Sequence, residues 1–143
     1  MDDKYFMGIA IEEAKKSRDR DKYYVGAVIV KDGIIISKAY GDEKNENSHA
    51  EELAIKNARK NLFGAKIYIT MESCSFRPSG KVSCSDLIIV TGIKKVFYGV
   101  RDPQINVKCE GIEVLVNAGI EVVHLKELEE MCKQITPSIF RLT

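Results

Sequence analysis

His49 and Glu51, two positions apart in Ser48-His49-Ala50-Glu51, stand upstream of Cys74 and Cys84, which are ten positions apart. Together they offer one imidazole, one carboxylate and two thiols. Zinc takes nitrogen and sulfur donors in tetrahedral sites, and a catalytic site keeps one of its positions for water. His49, Cys74 and Cys84 supply three donors, which leaves Glu51 to move protons. Bound zinc lowers the pKa of its water towards ~7, making hydroxide available at neutral pH. Residues two apart in a helix point about 200° away from each other, so His49 and Glu51 read as ligand and proton carrier rather than as two ligands. The plainer reading is two core thiols, a surface imidazole and a first-turn carboxylate complementing the helix dipole. The order of the residues and the elements around them favour the metal.

Those elements follow from periodicity and turn chemistry. Phe6, Ile9, Ala10 and Ala14 recur at helical spacing, predicting an amphipathic helix over 3–17 with Asp2 or Asp3 as N-cap. Residues 18–22 read as a charged loop. The β-rich runs 25–30 and 34–40 are separated by Lys31-Asp32-Gly33, which predicts a hairpin with Asp32-Gly33 at its tip. Ser48 is the expected N-cap of a helix running to Lys60, with Ala50, Leu53, Ala54 and Ala58 inward. A strand is predicted over 66–71. The stretch from Cys74 to Cys84 holds Pro78 and Gly80 and reads as loop, and Cys84 opens a helix capped by Ser83 that ends near Gly92. Strand 96–100, helix 109–118, strand 121–125 and helix 127–135 complete the chain. A hairpin followed by alternating helices and strands predicts an α/β fold: one mixed five-stranded sheet in a three-layer α/β/α sandwich.

The 143 residues suit a single domain, 1–143, with one sizeable core; 45% are apolar and 30% charged. Lys and Arg number 22 against 21 Asp and Glu, a net charge of +1 that disfavours a nucleic-acid partner and fits a small anionic substrate better. Apolar runs such as Leu87-Ile88-Ile89-Val90 are too short to span a bilayer. The start Met1-Asp2-Asp3 does not resemble a secretory signal. The expectation is a cytoplasmic protein without membrane partners, its four cysteines acting as ligands or buried thiols rather than disulfides.

A His/Cys/Cys set with a non-ligand Glu is the signature of zinc deaminases acting on nucleobases, and on these residues the chain resembles the cytidine deaminase superfamily. The nine residues between Cys74 and Cys84 sharpen the likeness, because many of its branches have a short Cys-x-x-Cys there. Met71-Glu72-Ser73-Cys74-Ser75-Phe76-Arg77-Pro78-Ser79-Gly80 is similar to the pyrimidine deaminases of riboflavin biosynthesis, in particular the fungal type. Val25-Gly26-Ala27-Val28-Ile29-Val30 and Ala118-Gly119-Ile120-Glu121-Val122 resemble the wider family, so the likeness covers about residues 25–125. The chain departs from the family at Ser73 and Ser83, where proline usually precedes each cysteine. It departs again at Lys22-Tyr23-Tyr24, where bacterial relatives carry Pro-Asn-Pro.

The resemblance implies a cytidine deaminase-like fold, Zn2+ as cofactor, a homo-oligomer, and hydrolytic removal of the ring 2-amino group of a 2,5-diamino-6-(ribosyl/ribityl)amino-4-pyrimidinone 5′-phosphate. With no reductase domain following, a stand-alone deaminase is expected. Phe76 is open to stacking on the pyrimidine or to anchoring its loop. Arg77 and Lys81 are open to binding the phosphate or to solvation. Asn45 and Asn47 are open to contacting sugar or ring, or to turn chemistry. Two rivals stand beside this reading. One is a deaminase of cytidine, deoxycytidylate or guanine. The other is a non-catalytic module whose structural zinc is closed by a fourth ligand drawn from Cys109, Cys132 or His124.

Overall fold

The hairpin forms as its turn residues predict. In a computed structural model, which describes residues 2–17, 23–42, 48–77, 80–103, 109–137 and 140, β1 (Gly26–Lys31) and β2 (Ile34–Tyr40) pair antiparallel. Asp32 and Gly33 have φ of 53° and 76°. A two-residue turn that matches strand twist needs both central residues at positive φ, which is why Asp-Gly serves there.

Five strands make one sheet in the order β2-β1-β3-β4-β5. β3 (Lys66–Met71) lies antiparallel to β1 and parallel to β4 (Lys95–Val100), which is parallel to β5 (Glu121–His124). β1 and β3 are apolar nearly throughout because both their faces are covered, and alternate residues enter different cores. Ala27, Ile29, Ile67, Ile69 and Val96 pack with Leu53, Ala54, Ile88 and Leu115 from α2 (Ala50–Asn57), α3 (Cys84–Thr91) and α4 (Gly111–Asn117). Val28, Val30, Tyr68 and Phe97 pack on the opposite face with Phe6, Met7, Ala10 and Ile11 of α1 (Asp3–Ala14) and Cys132 of α5 (Glu129–Ile135). The expected three-layer α/β/α sandwich with a mixed five-stranded sheet is the fold observed. Among the described residues, no helix is long and apolar enough to cross a membrane.

Several boundaries differ from expectation, each for a tertiary reason. α1 stops at Ala14 rather than 17, and Ser17 Oγ instead donates to the Gly41 carbonyl at 2.8 Å, pinning the chain beside the end of β2. α2 ends at Asn57 rather than Lys60; Ala58 turns extended and Leu62 enters the core. Ser48 is not the cap of α2. Its backbone exchanges hydrogen bonds with Asp42 at 3.0 and 3.2 Å, and His49 takes the N-cap position. The last predicted helix divides into a 3-10 turn, Lys126–Leu128, and α5.

Candidate active site

His49, Cys74 and Cys84 come from three different places in the chain and meet at one. Cys74 lies just beyond the carboxyl end of β3, while His49 and Cys84 stand at the N-termini of α2 and α3. His49 Nδ1 is 3.6 Å from Cys74 Sγ and 3.4 Å from Cys84 Sγ. All three donor atoms lie within 4.8 Å of one another. Zinc held at about 2.3 Å from sulfur and 2.0 Å from nitrogen in a tetrahedron requires S···N separations of about 3.5 Å. The trio therefore fits a zinc ion in both donor type and spacing.

The local sequence explains the arrangement. Ser83 caps α3, its Oγ accepting from Asp86 N at 3.1 Å, which puts Cys84 in the first turn. The Cys84 N–H is thereby free to donate to Cys74 Sγ at 3.1 Å. Negative charge settles on Cys74, favoured by the hydrogen bond from the Cys84 thiol and by His49, while Cys84 is pushed up as the partner that keeps its proton. The hydrogen bond to Cys74 in turn raises His49 above the usual imidazole range.

Glu51 is 3% exposed. Burial raises its carboxyl to about 7, opposed by His49 and by a hydrogen bond with Cys84. His49 has extended backbone (φ −78°, ψ 158°) and is the cap rather than a helical residue, so the offset of about 200° between helical residues two apart does not apply to the pair. Both side chains reach Cys84 and share one site. Glu52, in contrast, accepts from the His49 backbone N–H at 3.3 Å, as the N3 residue of a capping box does.

The inter-cysteine residues have unequal surroundings. Phe76 is 63% exposed, Lys81 is half-buried, and Arg77 is only 5% exposed. Arg77 does not stand in solvent as a loop cation would: its Nη1 donates to Glu52 Oε1 at 3.2 Å and to the Val82 carbonyl at 3.4 Å. That pairing outweighs the effect of burial and holds Glu52 below the usual carboxylate range. Asn45 and Asn47 lie outside the described residues.

The rival fourth donors are engaged elsewhere. Cys109 Sγ donates to the Ser73 carbonyl at 3.2 Å, His124 Nε2 lies 3.0 Å from the Gly99 carbonyl with its ring stacked on Tyr98, and Cys132 is packed in the core on the α1/α5 face of the sheet. Among the described residues, the clustered donors are His49, Cys74 and Cys84.

One residue that sequence reasoning passed over organises the site's rim. Glu72, 5% exposed, accepts from Arg101 Nε and Nη2 at 3.3 and 3.2 Å, and from the backbone N–H groups of Asp102 and Ile112, each at 3.2 Å. Arg101 Nη2 also donates to Glu113. Glu110 N adds a bond to Ser75 Oγ at 2.9 Å. Arg101 and Asp102 after β4, and Glu110 and Ile112 at the start of α4, are thus tied to residues 72–75, and α4 begins at Gly111 rather than 109. The only signal in the sequence was an acidic residue at the end of an apolar strand, two positions before a candidate ligand.

Comparison with known proteins agrees with this geometry. A family model described as the cytidine and deoxycytidylate deaminase zinc-binding region matches residues 1–100. The chain is 45% identical over 133 residues to the diaminohydroxyphosphoribosylamino-pyrimidine deaminase of Schizosaccharomyces pombe, covering 89% of this chain and 33% of that protein. It is 33% identical over 153 residues to the tRNA-specific adenosine deaminase of Bacillus subtilis, covering 97% of this chain and 89% of that protein. The crystal structure of Aspergillus oryzae Rib2 deaminase in complex with DARIPP superposes with a TM-score of 0.82 at 27% identity, covering 94% of this chain and 90% of that one. The chain spans about a third of the length of the riboflavin-pathway relatives it matches.

Proposed function

The chain belongs to the cytidine and deoxycytidylate deaminase family, and from that premise we propose that it hydrolyses the ring 2-amino group of a 2,5-diamino-6-(ribosyl/ribityl)amino-4-pyrimidinone 5′-phosphate, releasing ammonia. The observation that carries this reading is the 45% identity to a pyrimidine deaminase over 89% of the chain, joined to the nine-residue spacing between Cys74 and Cys84.

His49 Nδ1, Cys74 Sγ and Cys84 Sγ would hold a zinc ion, Cys84 giving up its proton when the metal binds. Zinc bound there supplies Lewis acidity and a water acidified towards pKa ~7. Glu51 takes the proton of the attacking water, passes it to a ring nitrogen and helps protonate the departing amine, so that water and the amino compound leave as carbonyl compound and ammonia. Its burial suits this work, since a carboxyl poised near neutrality can both accept and return a proton. Lys81 binds the phosphate and Phe76 stacks on the ring of the substrate. The protein works as a homo-oligomer.

A second reading has specific support: the tRNA-specific adenosine deaminase of Bacillus subtilis matches this chain over nearly its own whole length. The net charge of +1 weighs against it, because polynucleotide binding draws on a basic excess. Zinc-loaded protein should be assayed for ammonia with both pyrimidinone phosphates, cytidine, deoxycytidylate, guanine and an adenosine-containing tRNA anticodon arm. Turnover confined to the pyrimidinone phosphates is expected. Inosine formation in the RNA, with none of the others consumed, would replace this proposal with the second reading.

A further inference from the structure

Two adjacent residues after Cys74 reverse the usual order of burial. The aromatic residue, Phe76, is exposed, while the neighbouring arginine is buried. Burying a guanidinium is costly unless it is paired and hydrogen-bonded, so the fold must gain something by the inversion. Arg77 Nη1 sits 3.2 Å from Glu52 Oε1 and 3.4 Å from the carbonyl of Val82. The same Glu52 oxygen accepts from His49 N at 3.3 Å.

One nitrogen therefore touches every segment that carries a candidate ligand. Arg77 itself lies three positions after Cys74, Val82 lies two positions before Cys84, and Glu52 grips the backbone of His49. The Arg77 side chain is 4% exposed and that of Glu52 24%, so the guanidinium is withdrawn from solvent onto a half-buried carboxylate. A buried ion pair adds little net stability, but removing one partner leaves an uncompensated charge. Its use is geometric.

We propose that Arg77 and Glu52 form a positioning clamp that sets the separation of His49, Cys74 and Cys84, Arg77 acting through Glu52 and the Val82 carbonyl rather than on the substrate. This rests on the reading that those three residues hold the metal. Groups that orient metal ligands through hydrogen bonds typically contribute a factor of about 10–100 in metal affinity. A lysine Nζ stands one bond nearer the backbone than Arg77 Nη1 and lacks the planar guanidinium, so lysine at position 77 should restore only part of the effect.

The test measures zinc release to an excess of chelator from Arg77→Ala, Arg77→Lys, Glu52→Gln and the double variant Arg77→Ala/Glu52→Gln. It also measures the alkylation rate of the Cys74 and Cys84 thiols in the metal-stripped proteins, which does not depend on zinc binding. Expected are zinc release at least about tenfold faster in Arg77→Ala and Glu52→Gln, an intermediate rate in Arg77→Lys, and no further acceleration in the double variant. Thiol alkylation should accelerate in the same order. Should Arg77→Ala not fold, the lysine and Glu52→Gln variants carry the comparison. Release and alkylation rates equal to the parent would overturn the clamp, as would strictly multiplicative single effects. So would a higher KM for phosphorylated but not dephosphorylated substrate as the sole change in Arg77→Ala. Full zinc retention by His49→Ala would instead overturn the ligand assignment, leaving the alkylation rates to decide the clamp.

Discussion

Replacing Glu72 by alanine removes the acceptor of four hydrogen bonds, two from Arg101 and one each from the N–H groups of Asp102 and Ile112. These losses differ in weight. The Arg101 side chain is 52% exposed, so water takes over its share and the loss there stays below ~1 kcal/mol. Asp102 and Ile112 are half-buried, and a buried donor stripped of its partner costs ~1–3 kcal/mol; the lower-middle part of that range, ~1.5 kcal/mol each, suits groups that solvent partly reaches. The two backbone donors together account for ~3 kcal/mol, and at ~4 °C per kcal/mol for a chain of this size the melting temperature should fall by at least ~12 °C. Glu72→Gln keeps one acceptor oxygen and should lose about half as much. Arg101→Ala should shift melting by less than ~4 °C. Thermal unfolding of the three variants by circular dichroism, with amide exchange at Asp102 and Ile112, measures both the size and the place of the effect. If Glu72→Ala melts within ~2 °C of the parent, or Arg101→Ala proves equally damaging, the reasoning that assigns the stability to the two backbone donors is refuted.

Glu51→Gln should keep a full equivalent of zinc by metal analysis and lose turnover by about 10²–10⁴; loss of metal together with activity would count against its role. In metal-stripped protein the same variant tests its titration. Burial raises the folded-state carboxyl from 4.5 to about 7, so the folded state binds more protons over that interval and Glu51 lowers stability as pH rises through it. The melting temperature of Glu51→Gln relative to the parent should therefore climb from about pH 5 to about pH 8 and be flat below, as pH-dependent melting can show. A Cβ at Gly111 would lie 1.8 Å from the Ser73 carbonyl, next to Cys74; Gly111→Ala should cost at least ~2 kcal/mol in denaturant unfolding and weaken zinc retention. Cys84→Ala should fail to retain zinc while Cys109→Ala retains it, by elemental analysis after gel filtration. Lys81→Ala should raise KM about tenfold or more for a phosphorylated substrate and leave KM for its dephosphorylated form unchanged.

Much of the fold was legible because its signals are local. Asp32-Gly33 demands a particular turn, Ser83 caps a helix whichever strand it packs on, and the doubly buried runs 26–30 and 67–71 read as strands without knowledge of their neighbours. The donor types at His49, Cys74 and Cys84 were equally open to view, since zinc selects nitrogen and sulfur by chemistry rather than by location.

Tertiary structure decided where these groups point. His49 became a cap because the backbone of Ser48 was already taken by Asp42, and that single step brought Glu51 into the same site as the imidazole. Arg77 turned inward to a glutamate 25 positions away, and Glu72 accepted from a backbone N–H 40 positions away. Periodicity and capping rules describe neighbours along a chain; a buried charge is satisfied by whatever the fold brings beside it, and that depends on strand order and helix packing. The amino-acid sequence by itself thus determined the elements and the chemistry on offer, while the packed sheet and helices determined which side chains face one another to carry it out.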